Sequence, residues 1–419
     1  MSRIIGMRRF TGAALLACLG LGTLLSACDN NKPRTLQDIK HVFVIVLENK
    51  NFDDTFGSST QDPYLQSLPA KGALLTQYYG TGHASLDNYI SMISGQATAN
   101  ATSGDCTNYV DFVMSGTTPD GQAIGDGCVY PASIKTLPDQ LKAAGLSWKG
   151  YMEDMGNDPA RESASCGHPA IGAADLTNAP EAASASVPDG DQYATRHNPF
   201  VYFHSILDTP DCEARVVNLR QLDTDLASAS STPNFAFITP NVCNDGHDGD
   251  GTGAANKGCV GGAPGGLTSA DGFLKIWVPK IMSSPAFKKD GLLIINFDEG
   301  NYASVAPTTT DGVTTYTITF PGEHCCEQQI GPNITRPSAE TLPVSPTMQY
   351  VIRIDGYGGD RTGAVLLSPF IKGGTVSDVP YNHYSMLKSL QDIFSLSPYL
   401  GYAGQDGLMP FGSDIFTQF

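Results

Sequence analysis

Positive charge is scarce in this chain: 25 Lys and Arg stand against 42 Asp and Glu in 419 residues, a formal charge of −17. A surface that grips nucleic acid has to be cationic, so that class of function is excluded. Charged residues make up only 16% of the chain, too few for a coiled coil or a disordered tail. No serine sits in a G-x-S-x-G elbow, which argues against an α/β-hydrolase esterase. P-loop and dinucleotide fingerprints are missing as well. The cysteines show no repeated C-x-x-C spacing, so a structural zinc site has no support. What the chain has in plenty is glycine (45) and proline (27), the composition of a globular protein with long, turn-rich loops.

Arg3, Arg8 and Arg9 precede an apolar stretch at 13–19 that is too short to span a membrane and reads as an export signal. It closes on Leu25-Ser26-Ala27-Cys28, which resembles the lipobox of bacterial lipoproteins. The resemblance implies removal of residues 1–27, acylation of Cys28, a linker over 28–40 and a folded body over 41–419. That body is strongly anionic and should be repelled by anionic headgroups, so membrane contact is expected through the N-terminal lipid anchor only. The expected address is outside the cytoplasm, facing the periplasm or the extracellular side. Cys106, Cys128, Cys166, Cys212, Cys243, Cys259, Cys325 and Cys326 then remain, an even number in an oxidising compartment, which reads as up to four disulfides pinning loops. Pairing between sequence neighbours, such as Cys106 with Cys128 and Cys243 with Cys259, is the expectation. Cys325 and Cys326 are expected to take different partners, because a vicinal bridge is strained.

Apolar runs rich in β-branched residues recur at 41–47, 235–238, 292–297 and 364–367, the pattern of strands buried on both faces in a mainly parallel sheet. Helical periodicity falls between them, at 137–144, 217–227, 272–282 and 384–394. This alternation predicts an α/β three-layer sandwich. Stretches at about 97–131, 155–195 and 301–350 interrupt it and read as insertions into one domain, the last with a hairpin around Thr314 to Phe320.

In open α/β sheets functional groups gather beyond the carboxyl ends of the strands. Here the first strand runs into Glu48-Asn49 and the 292–297 strand into Asp298-Glu299. Oxygen-bearing side chains on two strand ends can converge on a hard dication such as Ca²⁺, Mg²⁺ or Mn²⁺; either pair alone could equally solvate a turn or cap a helix. Ser85, after His83 and three residues before Asn88, falls at the start of a helical run, where free N–H groups and the helix dipole favour a phosphate. A serine in that place also serves as a plain cap.

These blocks occur together in an order that resembles a known family, the bacterial phosphoesterases that include secreted acid phosphatases and phospholipase C relatives, with an alkaline-phosphatase-like fold. The blocks are 41–56 with Glu48-Asn49, 83–95 with Ser85 and Asn88, 240–248 with Asp245 and His247, Asp298-Glu299-Gly300, 366–371, and His383-Tyr384-Ser385. The resemblance implies Ser85 as nucleophile, with Glu48, Asn49, Asp298 and Glu299 holding one metal ion together with Ser85. Asn88 would hydrogen-bond a phosphoryl oxygen. His247 is the preferred general acid, since acids flank it; Asp245 could ligate, orient that imidazole or do neither. His83 and His383 are further candidates for phosphate contact. The implied activity is hydrolysis of phosphate monoesters through a phosphoserine, on a small-molecule phosphate ester. The alternatives are a phospholipase C-type phosphodiesterase acting on a phospholipid headgroup, and a surface binding protein that keeps the fold without catalysis.

Overall fold

Every residue of the strand His41–Leu47 is buried, so both faces of this strand must be covered by other layers. Its side chains alternate accordingly. Val42, Val44 and Val46 pack with Leu86, Ile90 and Ile93 and with Leu387 and Leu390. Phe43, Ile45 and Leu47 pack on the other side with Leu274, Val278 and Ile281. The helices that supply these partners are Ser85–Ser94 and His383–Ile393 on one face and Gly266–Ser283 on the other. A three-layer α/β sandwich results, as the alternation of patterns predicts. The computed structural model describes residues 35–418, which lie in one compact unit; the export signal and lipidated Cys28 expected from the sequence fall outside them.

The central sheet has eight strands in the order Thr375–Ser377, Ala73–Leu75, Ala364–Leu367, Gly291–Phe297, His41–Leu47, Phe235–Thr239, Trp148–Met152 and Val216–Asn218. All run parallel except Ala364–Leu367, which is antiparallel to both of its neighbours. The register decides the chemistry: Leu47 lies opposite Phe297 on adjacent parallel strands, so the next residues, Glu48 and Asp298, leave the sheet side by side.

The predicted helices at 137–144, 272–282 and 384–394 appear as Leu137–Ala143, Gly266–Ser283 and His383–Ile393. The fourth is a correction. Residues 217–227 divide into the edge strand Val216–Asn218 and a short helix Gln221–Asp225, because the two β-branched valines complete the sheet edge before helical periodicity begins. At the far end of the Ser85 helix, Gly95 takes φ 67°, and a Cβ there would lie 2.1 Å from the Leu400 carbonyl oxygen. Glycine is needed at that cap on both counts.

Residues 304–354 do not join the central sheet. They form a separate four-stranded sheet, here called the arm, in the order Ser304–Thr310, Val313–Phe320, Met348–Ile354, Ser338–Ser345. The predicted hairpin is its first pair.

Four disulfides pin the loops: Cys106–Cys128, Cys166–Cys212, Cys243–Cys259 and Cys325–Cys326. The two pairings named from sequence are present. The separation of Cys325 from Cys326 is corrected, since the other six described cysteines take one another and leave these two as a pair. Such a set suits an oxidising compartment and an exported protein. Among the described residues no helix is long and apolar enough to cross a membrane.

Candidate active site

Ser85 opens its helix, with Ala84 in extended geometry before it, so its hydroxyl stands at the positive end of the helix dipole. The hydroxyl donates to Glu48 Oε2 at 2.9 Å. The phenol of Tyr89, one turn further along, donates to Glu48 Oε1 at 2.6 Å. Both Glu48 oxygens are thus aimed from the helix, while its backbone N–H is fixed to the Asp245 carbonyl at 2.9 Å.

Asn49 turns the chain with φ 50°, and its N–H donates to Asp298 Oδ1 at 3.1 Å. Its amide oxygen faces Glu48 Oε2 at 2.9 Å and Asp298 Oδ1 at 3.1 Å; with the amide turned over, its nitrogen would donate to both. Three acceptors facing one another repel unless the amide turns or a cation lies among them. Glu48, Asn49, Ser85 and Asp298 therefore lie together. Glu299 is placed differently: its Oε2 accepts from Asn88 Nδ2 at 3.2 Å and lies 3.6 Å from His83 Nδ1.

Besides meeting Glu299, Asn88 shapes the loop ahead of the helix. Its Oδ1 accepts from the N–H groups of Thr81 (2.7 Å) and Gly82 (3.2 Å), and its amide nitrogen donates to the Gly82 and Ala84 carbonyls, both at 3.0 Å. His83 is buried between two acids, with Nε2 at 2.9 Å from Asp360 Oδ2 and Nδ1 toward Glu299. His383 lies behind the site: Nδ1 meets the Tyr78 hydroxyl at 2.9 Å and Nε2 the Asp298 carbonyl at 2.6 Å. Burial lowers its pKa to about 4, so it is neutral and acts on the site through the Asp298 backbone. His247 is exposed, with Nδ1 at 2.8 Å from Asp248 Oδ1, and its N–H donates to Asp245 Oδ1 at 2.7 Å.

Sequence reasoning missed His197. It ends a short helical turn, Thr195–His197, inside the 155–195 insertion and its flank, and no strand or motif marks it. Its ring stacks on Tyr89, with centroids 5.2 Å apart and planes within 5°. Nε2 points to Glu48 Oε1 at 3.5 Å and Nδ1 to Asp245 Oδ2 at 3.2 Å. Burial, then Arg196 and His247, hold its pKa well below the usual imidazole range. Asp245, whose role the sequence left open, is fully buried and belongs to this group.

Four buried carboxyls thus share one region. Burial raises the pKa of Asp298, with Glu48 and Glu299 adding to it. It does the same for Asp245, with Glu48 adding, and for Glu299, with Asp87 and Glu48 adding. Glu48 is also raised by burial, against the opposing His247 charge and the Tyr89 and Ser85 hydrogen bonds. Asp298 Oδ2, Asp245 Oδ2 and both His197 nitrogens are buried without hydrogen-bond partners. Glu48, His197 and Asp245 each offer a ligand atom, all within 4.8 Å of one another. Unpaired buried acceptors around repelling carboxyls fit a dication, which would satisfy the first and relieve the second. Glu48 borders both the Asn49–Asp298 oxygens and the His197–Asp245 pair, so either group could share it in holding an ion.

Lys50 ties the blocks together. Its N–H donates to the Glu299 carbonyl at 3.1 Å, and its ammonium donates to the carbonyls of Gly246 (2.7 Å), Asn49 (3.3 Å) and Glu48 (3.4 Å). Lys50→Met is expected to loosen the Asp245–His247 loop, seen as faster amide hydrogen exchange over 244–248, and to lower kcat about 10- to 100-fold. Unchanged exchange there would remove the clamp role.

The model of the Phosphoesterase family matches residues 58–397, a span that contains Ser85, His197, Asp245 and Asp298 and begins after Glu48. A probable acid phosphatase of Kluyveromyces lactis is 24% identical over 260 residues, 62% of this chain and 47% of that protein. A phosphate-repressible acid phosphatase of Penicillium chrysogenum is 26% identical over 257 residues, 61% and 47% of the two chains. A phosphatidylinositol-3-phosphatase of Mycobacterium tuberculosis is 25% identical over 214 residues, 51% and 54%. The chain spans about half the length of these curated relatives. Among solved structures, a protein in the alkaline phosphatase superfamily from Vibrio parahaemolyticus aligns over 90% of this chain and 72% of its own, at 12% identity and a TM-score of 0.46.

Proposed function

The chain belongs to the Phosphoesterase family, and from that membership we propose that it is a metal-dependent phosphomonoesterase working through a phosphoserine. The observation that carries the reading is the 2.9 Å bond from the Ser85 hydroxyl, at a helix N-terminus, into a ring of buried carboxyls. Glu48, Asn49 and Asp298 would hold a dication (Mg²⁺, Ca²⁺ or Mn²⁺) beside Ser85, with His197 and Asp245 as further ligands on the far side of Glu48. When bound, the ion would lower the cost of the Ser85 alkoxide and stabilise charge on the phosphoryl oxygens.

The Ser85 oxygen, aimed by its bond to Glu48 Oε2, gives up its proton to solvent as it attacks phosphorus and the bond from phosphorus to the leaving alcohol breaks. The helix N-terminus favours the anionic ester. Asn88 keeps the Thr81–Ala84 loop in the shape that presents Ser85, rather than touching phosphate. His247, whose Nδ1 faces Asp248, gives its proton to the leaving alcohol, and the same imidazole then draws a proton from the water that attacks the phosphoserine, as the bond from phosphorus to Ser85 breaks and the Ser85 oxygen takes up a proton from solvent. His83, held by Asp360 and Glu299, fixes the wall of the pocket. Export with a lipid on Cys28 is part of this reading and comes from the sequence alone.

Release of p-nitrophenol from p-nitrophenyl phosphate, with and without a chelator, tests it. Turnover is expected only with a dication present, and p-nitrophenylphosphorylcholine should be cleaved at least about 10-fold less well. Preference for the choline diester would favour the phospholipase C reading, and failure of both esters with metal added would leave a binding protein.

A further inference from the structure

The arm has two unlike faces. Residues directly opposite in adjacent strands share a face. Tyr316 lies opposite Tyr350, Ile318 opposite Ile352 and Phe320 opposite Ile354. On the outer strands Val305 lies opposite Ile318, and Leu342 opposite Tyr350. The reverse face carries Thr315, Thr317, Thr319, Gln349, Val351 and Arg353. One face is therefore mainly apolar, with Glu340 opposite Ile352 and the Thr309–Thr314 pair also on it, and the other is mainly polar, with Val351 opposite Thr317 as its apolar member, the pattern of a sheet with one covered side. Yet the strand Val313–Phe320 is only half-buried throughout and Ser304–Thr310 is exposed throughout; Val305 and Leu342 are 43% and 42% exposed.

The inner end of the apolar face touches the candidate active site. The Phe320 ring packs on the His83 ring with centroids 4.7 Å apart, and Tyr302 meets Phe320 edge-on at 6.3 Å. From there the face runs outward past the Tyr316–Tyr350 pair, whose rings are 5.7 Å apart. We propose that this face is the platform for the apolar alcohol portion of the phosphate ester, so that the substrates are amphiphilic monoesters whose tail lies along the arm while the phosphate meets Ser85. The proposal rests on the phosphoesterase reading above and adds the substrate class to it.

Size and charge argue for this occupant. Four strands of about seven residues give a face of roughly 440 Å², well under the ~800 Å² per partner of a stable interface, which disfavours a second copy. A chain of net charge −17 offers little to an anionic bilayer. An extended acyl or alkyl chain, in contrast, needs only a narrow apolar track that begins at the reacting phosphate.

The test compares decyl phosphate with p-nitrophenyl phosphate on the wild-type chain, on Ile318→Thr/Tyr350→Thr, and on Val351→Thr from the polar face. The wild type is expected to prefer decyl phosphate in kcat/KM by about 10-fold or more. The double variant should lose that preference, with p-nitrophenyl phosphate turnover within about twofold of wild type, and Val351→Thr should keep it. Binding of decyl phosphate to the metal-loaded protein, by titration calorimetry, is the second measurement; it should weaken about 10-fold in the double variant alone. If neither ester is cleaved, the activity reading fails while the calorimetric result still decides the platform. Equal turnover or equal binding across the three chains overturns the proposal. So does a wild-type dimer that the double variant converts to monomer, or variant-sensitive binding to phosphatidylcholine vesicles without decyl phosphate binding.

Discussion

Ser85→Ala is expected to lower phosphatase turnover by at least ~10³-fold, with the melting temperature of the chain changed by no more than a few degrees. The large effect follows from the removal of the attacking atom, for which the neighbourhood offers no replacement: the Tyr89 phenol already spends its proton on Glu48, and the Thr81 hydroxyl is tied to Ser91 at 2.6 Å. The small effect on stability follows from the geometry of the helix start. Ser85 forms no side-chain cap there, and its loss frees one oxygen of a carboxyl that Tyr89 still holds. A labelling experiment separates a nucleophile from a mere binder. Wild-type protein quenched in acid during turnover of a ³²P-labelled monoester should carry label on the peptide containing Ser85, and the Ala variant should carry none. Label on another residue would move the nucleophile elsewhere and undo the mechanism.

The strands and the acids at their ends were legible because one physical rule places both. A strand buried on two faces must be continuously apolar, which marks 41–47 and 292–297, and parallel register then sets Glu48 beside Asp298. The direction of Ala364–Leu367 was not legible, since a four-residue apolar run reads the same from either end. His197 escaped for a different reason. It reaches the site from an insertion whose path is set by tertiary contacts such as the Tyr89 stack, and nothing local in Arg196-His197-Asn198 marks a ligand. Asn88 was singled out by its position, but a side chain with two donors and an acceptor can serve the backbone as readily as a phosphate, and here it bonds four backbone groups as well as Glu299 Oε2. The arm was visible only as its first hairpin; its pairing of Val313–Phe320 with Met348–Ile354 is parallel and so needs a crossover, which leaves no turn signal.

The second large effect concerns the metal-free protein, whose stability should fall as pH rises. Asp298, Asp245, Glu299 and Glu48 all have folded pKa values above those of the unfolded chain, the first three through burial first and neighbouring carboxylates next, Glu48 through burial against opposing contacts. A carboxyl shifted upward binds its proton more tightly in the folded state, so its contribution is fully present below the unfolded value, about 4, and is lost as pH rises through the folded value. With chelator present, the melting temperature is therefore expected to be highest in acid and to decline progressively above about pH 4. A saturating dication should oppose this trend, because the deprotonated carboxyls are its ligands. At a concentration about 100 times its Kd it adds about 2.7 kcal/mol, a few degrees for a chain of this size. Asp298→Asn isolates the cause. It removes one buried charge while keeping the shape, so the chelated variant should melt higher than chelated wild type at pH 8 and respond less to metal. The two melting curves should then cross between the chelated and the metal-loaded conditions. A variant that is less stable in both, with an unchanged metal response, would mean that Asp298 is paired with the protein rather than aimed at an ion, and the ring of acids around Ser85 would need another explanation.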